Sequence, residues 1–168
     1  MVGVLAVTLT SCGSSSPAST AGRPLPAGPV PSKIALEVCA NEAQKDMKAA
    51  LGLKAMVTTK TWIDHTYSCP YDYPDGRFIL SVKELSSWPQ TLDYFHSLGR
   101  QLGVTRKLAN LGQGAFQVTN GSVVVRKDWK VLLVDVTGLP ARFGVPPTSS
   151  GDIAVTVADV ILACWAGD

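Results

Sequence analysis

Histidine, cysteine and aspartate side chains cluster in one short stretch of this sequence, and together they could hold a zinc ion. His65 and Cys69 lie four residues apart, which places both on the same side of a strand, and Asp64 and Asp72 are close by. A structural zinc site needs four ligands, however, and no second His or Cys group completes them. Pairing of Cys69 in a disulfide would remove one more ligand. The sequence therefore predicts no bound metal and no cofactor.

Hydrolysis is the second kind of chemistry that such residues could serve. The G-x-S-x-G motif of one large hydrolase class is absent, and a catalytic triad needs Ser or Cys beside an oriented His. His96 lies in an amphipathic stretch and is interpreted as a partly exposed surface residue. Asp64, Asp72 and Asp75 surround a turn, where acids usually serve as turn formers. We predict that the protein is not an enzyme, and a hydrolase that uses His65 or His96 is the least favoured alternative.

Aromatic side chains are better candidates for binding a ligand. Tyr67, Tyr71 and Tyr73 share strand parity with Cys69, and four tryptophans are scattered along the chain. Clefts lined by apolar and aromatic side chains are typical small-ligand sites, although core packing accounts for such residues equally well. The sequence alone leaves the ligand-binding residues unassigned.

The charge balance argues against nucleic acid as a partner. The 168 residues include 15 Lys and Arg against 13 Asp and Glu, a formal charge of +2, whereas nucleic-acid binding needs a basic stripe that displaces counterions from phosphates. Arg100, Arg106 and Lys107 form only a small cluster, which we interpret as the solvated end of a helix.

The amino-terminal residues predict an export signal. Residues 2–9, VGVLAVTL, form an apolar run of the length found in signal peptides, about 7–15 residues, and far below the roughly 18 of a membrane-spanning helix. No basic residue precedes this run, because the first one is Arg23. We therefore predict that residues 1–11 are a signal peptide whose true start lies further upstream.

Cys12 follows this run directly. Leu9-Thr10-Ser11-Cys12 resembles the bacterial lipoprotein lipobox, which implies a thioether-linked lipid on Cys12, cleavage before it and acylation of the new amino terminus. Two or more acyl chains hold a protein stably on a bilayer, whereas one binds only marginally. The Ser- and Pro-rich residues 12–32 bury too little apolar surface to fold and are predicted to form an extended tether.

Residues 33–168 are predicted to form a single α+β domain. Apolar residues at helical spacing predict three helices, from Ser32 to Leu51, from Pro89 to Leu102, and from about Asp152 to the carboxyl end. Alternating residues predict three strands after the first helix and three after the second, the latter joined by turns at Asn120-Gly121 and Lys127-Asp128. The expected order is α-β-β-β-α-β-β-β-α, an antiparallel sheet with helices packed on one face.

Short motifs in this domain resemble those of small actinobacterial cell-envelope lipoproteins. The motifs are EVCANEA, SCPYDY, the segment Gly112-Gln113-Gly114-Ala115-Phe116 and the closing helix. The domains of that group are broadly similar to the extracellular sensor domains of some mycobacterial receptor kinases. The resemblance covers about residues 33–168 and implies a fold and a location; it implies no reaction, since most such proteins have no assigned activity.

Cysteines of an exported domain usually pair, because the compartment is oxidising. With Cys12 lipidated, Cys39, Cys69 and Cys164 remain, and one of them must be left over. The resemblance favours a Cys39–Cys69 disulfide, with Cys164 as a buried thiol. The alternative pairing is Cys39–Cys164.

These features together predict an exported protein held on the outer face of the cell membrane by lipids on Cys12. Its domain is expected to be a non-catalytic binding or sensor-like module, whose partner is an envelope protein or a small apolar ligand. The alternative is a soluble secreted carrier of a lipid or another ligand.

Overall fold

The computed structural model describes residues 24–165. Its helices are α1 (Lys33–Glu37), α2 (Asn41–Leu51), α3 (Trp88–Leu102) and α4 (Ser150–Cys164). Its strands are β1 (Met56–Val57), β2 (Thr61–Ile63), β3 (Thr66–Tyr73), β4 (Gly76–Glu84), β5 (Val104–Leu108), β6 (Gly114–Val118), β7 (Val123–Lys127), β8 (Lys130–Asp135), β9 (Arg142–Phe143) and β10 (Thr148–Ser149). The predicted α+β class with an antiparallel sheet and a carboxyl-terminal helix is confirmed.

One twisted sheet organises the domain. Its strands follow the order β1-β3-β4-β8-β7-β6-β5, and β2 pairs with the first residues of β3 beside β1. The contact between β4 and β8 joins the two halves of the chain, with Leu80 opposite Val134 and Val82 opposite Leu132. β9 and β10 form a separate two-stranded sheet. All pairs are antiparallel, so tight turns suffice for most connections.

The first predicted helix is broken in two. α1 ends at Glu37, and the backbone of Ala40 is extended before α2 begins. The break has a physical cause in the contacts of the intervening residues. The Tyr71 hydroxyl donates to the Val38 carbonyl oxygen at 2.7 Å, and Cys39 is bonded to Cys69. Both contacts hold this turn against the sheet, and Leu36, predicted on the apolar face, is consequently exposed.

The strand predicted over residues 55–63 is also divided. β1 and β2 pair with different parts of β3, and the residues between them leave the sheet. Thr58 in this loop donates from Oγ1 to the Asp72 carboxylate at 2.8 Å. β5, β9 and β10 were not predicted, so the expected order of elements is only roughly that of the structure.

Helices cover both faces of the sheet, and the expectation that they pack on one face is wrong. α1, α2 and α4 pack on the closed face, defined here by the side chains of Phe78, Leu80, Val82, Leu132 and Val134. The open face carries the side chains of the opposite parity, and α3 covers only part of it, packing on Phe116, Val118, Val124, Val131 and Leu133. β6, β7 and β8 are therefore buried on both sides.

Both long helices of the second half begin where the sequence predicts. Ser87 caps α3 by accepting a hydrogen bond from the Gln90 amide, with Pro89 in the first turn. Ser149 caps α4 by accepting from the Asp152 amide at 3.1 Å. Gly52 ends α2 in the left-handed conformation that glycine adopts without strain (φ 69°).

The Cys39–Cys69 disulfide is present, which confirms the pairing favoured by the resemblance and excludes Cys39–Cys164. It joins the turn after α1 to the closed face of β3, with a Cα–Cα distance of 5.8 Å. Both half-cystines are buried. Cys164 lies outside this bond near the end of α4 and is half-buried, more accessible than the predicted buried thiol.

The last part of the predicted tether contacts the domain. Residues 27–32, called the strap here, form hydrogen bonds to the end of β4 and to the β2–β3 hairpin. These bonds are Ala27 N to Leu85 O (3.2 Å), Ser32 N to Glu84 Oε1 (3.0 Å), Trp62 Nε1 to Pro29 O (3.0 Å) and His65 Nδ1 to Gly28 O (3.0 Å). No helix within residues 24–165 is long and apolar enough to cross a membrane.

Candidate ligand-binding site

The residues with metal-like spacing are engaged elsewhere. Cys69 is in the disulfide, and His65 Nδ1 lies 3.0 Å from the Gly28 carbonyl oxygen, a pairing that requires the proton on Nδ1. The Asp64 carboxylate pairs with Lys83 at 2.9 Å, and this hydrogen bond and charge lower the pKa of Asp64. Among the described residues, no group of three or more His, Cys, Asp or Glu is placed to hold a metal ion.

The tyrosines of β3 belong to the closed-face core. Tyr71 stacks on Phe78 with ring centroids 4.9 Å apart, and Tyr73 meets Phe143 edge-on at 4.9 Å. Burial raises the pKa of both hydroxyls, that of Tyr73 to about 12. Because these rings are fully packed, they line no ligand site, and the packing interpretation of this aromatic group is the one that the structure bears out.

His96 lines a cleft on the open face. The cleft lies between α3 and the hairpin of β5 and β6, and its volume is about 500 Å³. Pockets that hold small ligands are typically about 300–1,000 Å³ in volume. The cleft is therefore large enough for a small molecule with an apolar body.

Two phenylalanines form the floor of this cleft. Phe95 on α3 and Phe116 on β6 have ring centroids 4.7 Å apart and are almost completely buried. They belong to the smaller hydrophobic cluster, which anchors α3 to the sheet. The floor is thus apolar and closely packed, as expected of a preformed binding surface.

Gly99 allows α3 to approach the hairpin closely beside this floor. A Cβ atom there would lie 3.1 Å from Cγ2 of Val104 and 3.4 Å from Cζ of Phe116. The helix therefore rests on the hairpin at Gly99. Val104, at the start of β5, closes one side of the cleft and is 48% exposed.

Basic side chains form the rim. His96 and Arg100 are one helical turn apart on the same side of α3, and Lys107 is the register partner of Phe116 across the hairpin. All three are exposed, and none of the described lining residues is acidic. Within residues 24–165, neither Arg100 nor Lys107 has an ion pair.

Arg126 stands behind the cleft next to Gly114, whose missing side chain leaves room for the guanidinium group. Arg126 Nη2 donates to the Gln113 carbonyl oxygen at 2.6 Å, and its guanidinium carbon lies 4.4 Å from the centre of the Trp88 ring. Its buried Nε and Nη1 have no hydrogen-bond partner among the described residues. This cation–π stack fixes Arg126 in place, and desolvation lowers its pKa.

The sequence pattern does not predict this cleft, for a physical reason. The sequence pattern around Arg100, Arg106 and Lys107 indicates a solvated helix end, because it carries no clear signal of β5. Arg106 turns to the other side of the hairpin, where its Nε donates to Gln117 Oε1 at 2.8 Å, while Lys107 faces α3. The spacing of His96, Gly99 and Arg100 in one helix turn, opposite a basic strand, was the available signal.

Cys12, the predicted lipidation site, lies outside the described residues. Comparison of the chain with protein-family models, with curated proteins and with solved structures finds no match.

Proposed function

We propose that this chain is an exported envelope protein, anchored through lipids on Cys12, whose domain is a non-catalytic binding module. Its ligand site is the α3–hairpin cleft. The lipobox-like residues support the anchor, and the resemblance to actinobacterial envelope lipoproteins supports the location. The engagement of Asp64 by Lys83 and of His65 by the strap supports a domain without catalysis.

One observation carries the binding role: a cavity of about 500 Å³ has a buried apolar floor in a domain whose other face is closely packed. Preformed apolar clefts bind small molecules by removing their apolar surface from water. The occupant that suits this cleft is a small molecule with an apolar body, because the flat surface of a partner protein would not enter it.

Binding is tested with 1-octanol as a neutral apolar probe. We expect the backbone amide signals of Gly99 and Gly114, which line the cleft, to shift in NMR spectra on titration. Val104→Phe fills the cleft from an exposed position and should abolish these shifts. Met56→Phe, at an exposed position on the opposite edge of the sheet, is the matched control. Absence of shifts at both glycines in the unaltered protein would contradict the binding role.

The anchor is tested separately by acyl labelling of the native protein in an actinobacterial host. Label should enter the unaltered protein and be absent from Cys12→Ala. Partitioning into detergent should follow the same pattern. A protein that takes no label and stays in the aqueous phase would instead be the soluble secreted carrier, with the same cleft.

A further inference from the structure

We propose that the ligand of the α3–hairpin cleft is an anionic amphiphile, a molecule with one carboxylate or phosphate head and an apolar chain. This inference rests on the proposed binding function and adds the chemistry of the head group. It comes from the arrangement of two regions of the cleft, the floor and the rim.

The rim supplies positive charge that the described part of the chain leaves uncompensated. Arg100 projects from α3, and Lys107 projects from β5 across from it. Two other cations of the sheet are paired within the domain, since Lys83 binds Asp64 and Arg77 binds Asp72 at 2.7 Å. Arg100 and Lys107 line one cleft with an apolar floor, and an external anion bound there would give both of them a partner.

The two charges come from different elements, α3 and β5, and this arrangement favours an anionic head group placed between them. Arg100 can offer two parallel N–H groups to a carboxylate or phosphate, whereas Lys107 acts as a point charge from the opposite wall. A head group held between them is contacted from both sides. A neutral ligand would leave both cations without a charged partner.

The floor requires an apolar group below the head. Phe95 and Phe116 are 8% and 6% exposed, and their rings close the bottom of the cleft. A small inorganic anion would leave this surface uncovered, and a polar peptide side chain would cover little of it. An alkyl or aromatic body covers what remains exposed of the two rings and buries its own apolar surface, at about 25 cal/mol for each Å² of apolar surface.

The test compares probes that share one chain and differ in the head. Octanoate and octyl phosphate carry an anion, 1-octanol is neutral, octylamine is cationic, and acetate and inorganic phosphate lack the chain. Affinities are measured by NMR titration of the Gly99 and Gly114 amides. We expect at least one anionic amphiphile to bind about tenfold more tightly than 1-octanol, as an added charge-assisted contact of about 1.4 kcal/mol would produce. The two anions together decide which head group is preferred.

Variants assign the effect to the rim. Arg100→Ala and Lys107→Ala should each weaken binding of the anionic probe about three- to tenfold more than they weaken binding of 1-octanol. Arg100→Lys should retain part of the affinity. Lys60→Ala, which removes an exposed cation near the opposite edge of the sheet, is the matched control and should have no effect.

The outcomes separate this inference from the proposed function. Equal affinity for octanoate, octyl phosphate and 1-octanol, unaltered in the two rim variants, would overturn the anionic ligand and leave the binding function intact. Acetate or inorganic phosphate binding as tightly as the amphiphiles would also overturn it, because the floor would then contribute nothing. Binding of none of the probes would overturn both proposals.

Discussion

The two faces of the sheet differ in how completely helices cover them. On the closed face, α1, α2 and α4 bury a continuous core that includes the disulfide and the stacked pair of Tyr71 and Phe78. On the open face, α3 alone covers β6, β7 and β8, and its cluster is much smaller. The cleft lies where this single helix meets the exposed edge strand β5.

This difference separates stability from binding within one small domain. A closed core contributes most when every side chain has neighbours on all sides. A ligand site needs the opposite, an apolar surface that the chain itself leaves open. The closed face is therefore expected to contribute most of the free energy of unfolding. Substitutions at the rim of the open face are expected to change that free energy little.

The largest effect is expected from removing a ring of the closed core. Phe78→Ala should lower the free energy of unfolding by about 4 kcal/mol, since it leaves a cavity beside Tyr71. Phe116→Ala on the open face should cost only about 2 kcal/mol, because it enlarges a cleft already open to solvent. Urea denaturation measures both values. Equal losses would contradict the distinction between the faces.

Loss of the disulfide should have the next largest effect. The Cys39→Ser, Cys69→Ser double variant opens a loop closed over 30 residues, and chain-entropy arguments give a loss of about 3.5 kcal/mol. Cys164→Ser, in α4 on the same face, should change stability by less than about 1 kcal/mol. The three proteins are compared by thermal unfolding without reductant. Octanol binding to the open face should survive in any fraction that remains folded.

Alkaline pH should weaken the closed face through Tyr73. Its pKa is raised to about 12 by burial, whereas tyrosine in an unfolded chain ionises near pH 10. The unfolded state therefore loses its proton first, so the contribution of Tyr73 to stability is constant below about pH 10 and is lost as pH rises through 12, by about 2.7 kcal/mol at most.

Tyr73→Phe checks this assignment. The variant should show a shallower alkaline loss in denaturant titrations. At neutral pH its stability should be unchanged or slightly higher, because the buried Tyr73 hydroxyl has no hydrogen-bond partner among the described residues. An unchanged alkaline slope would assign the loss to other groups, such as Tyr71, whose pKa burial also raises.

The smallest effects are expected at the helix caps. Ser149→Ala should cost about 1 kcal/mol, since Ser149 both accepts from the Asp152 amide and donates to its carboxylate at 2.7 Å. Ser87→Ala should cost about 0.5 kcal/mol, because its bond to the Gln90 amide is long, 3.4 Å. Denaturation midpoints compare the two. A larger loss for Ser87→Ala would indicate that α3 is held mainly by its cap.

Local signals in the sequence account for much of this fold. Pro89 and Asp152 mark the starts of two helices, and Asn120-Gly121 marks a hairpin, all of which the structure contains. Each of these signals depends on the conformational preferences of the residues themselves. The break between α1 and α2 was unpredictable from spacing, because it depends on contacts of Val38 and Cys39 with β3, more than 25 residues away.

The two-sided burial of the sheet was present in the sequence but misinterpreted. Val123, Val124 and Val125 are consecutive apolar residues, and so are residues 131–134. Such runs are typical of strands covered on both faces, whereas a one-sided sheet alternates. The cleft itself could not be derived, because it depends on how closely α3 approaches β5 at Gly99, a distance that only tertiary packing sets.

If Cys12 is acylated, as we propose, the strap limits the distance between the domain and the bilayer. A polypeptide spans at most about 3.5 Å per residue, so about 15 residues between an acylated Cys12 and Ala27 would confine Ala27 to a shell about 50 Å deep. If ordered structure began only at Lys33, the shell would be about 70 Å deep. The hydrogen bonds of Trp62 and His65 to the strap thus shorten the accessible height by about 20 Å. The domain would then search for its ligand close to the lipid surface.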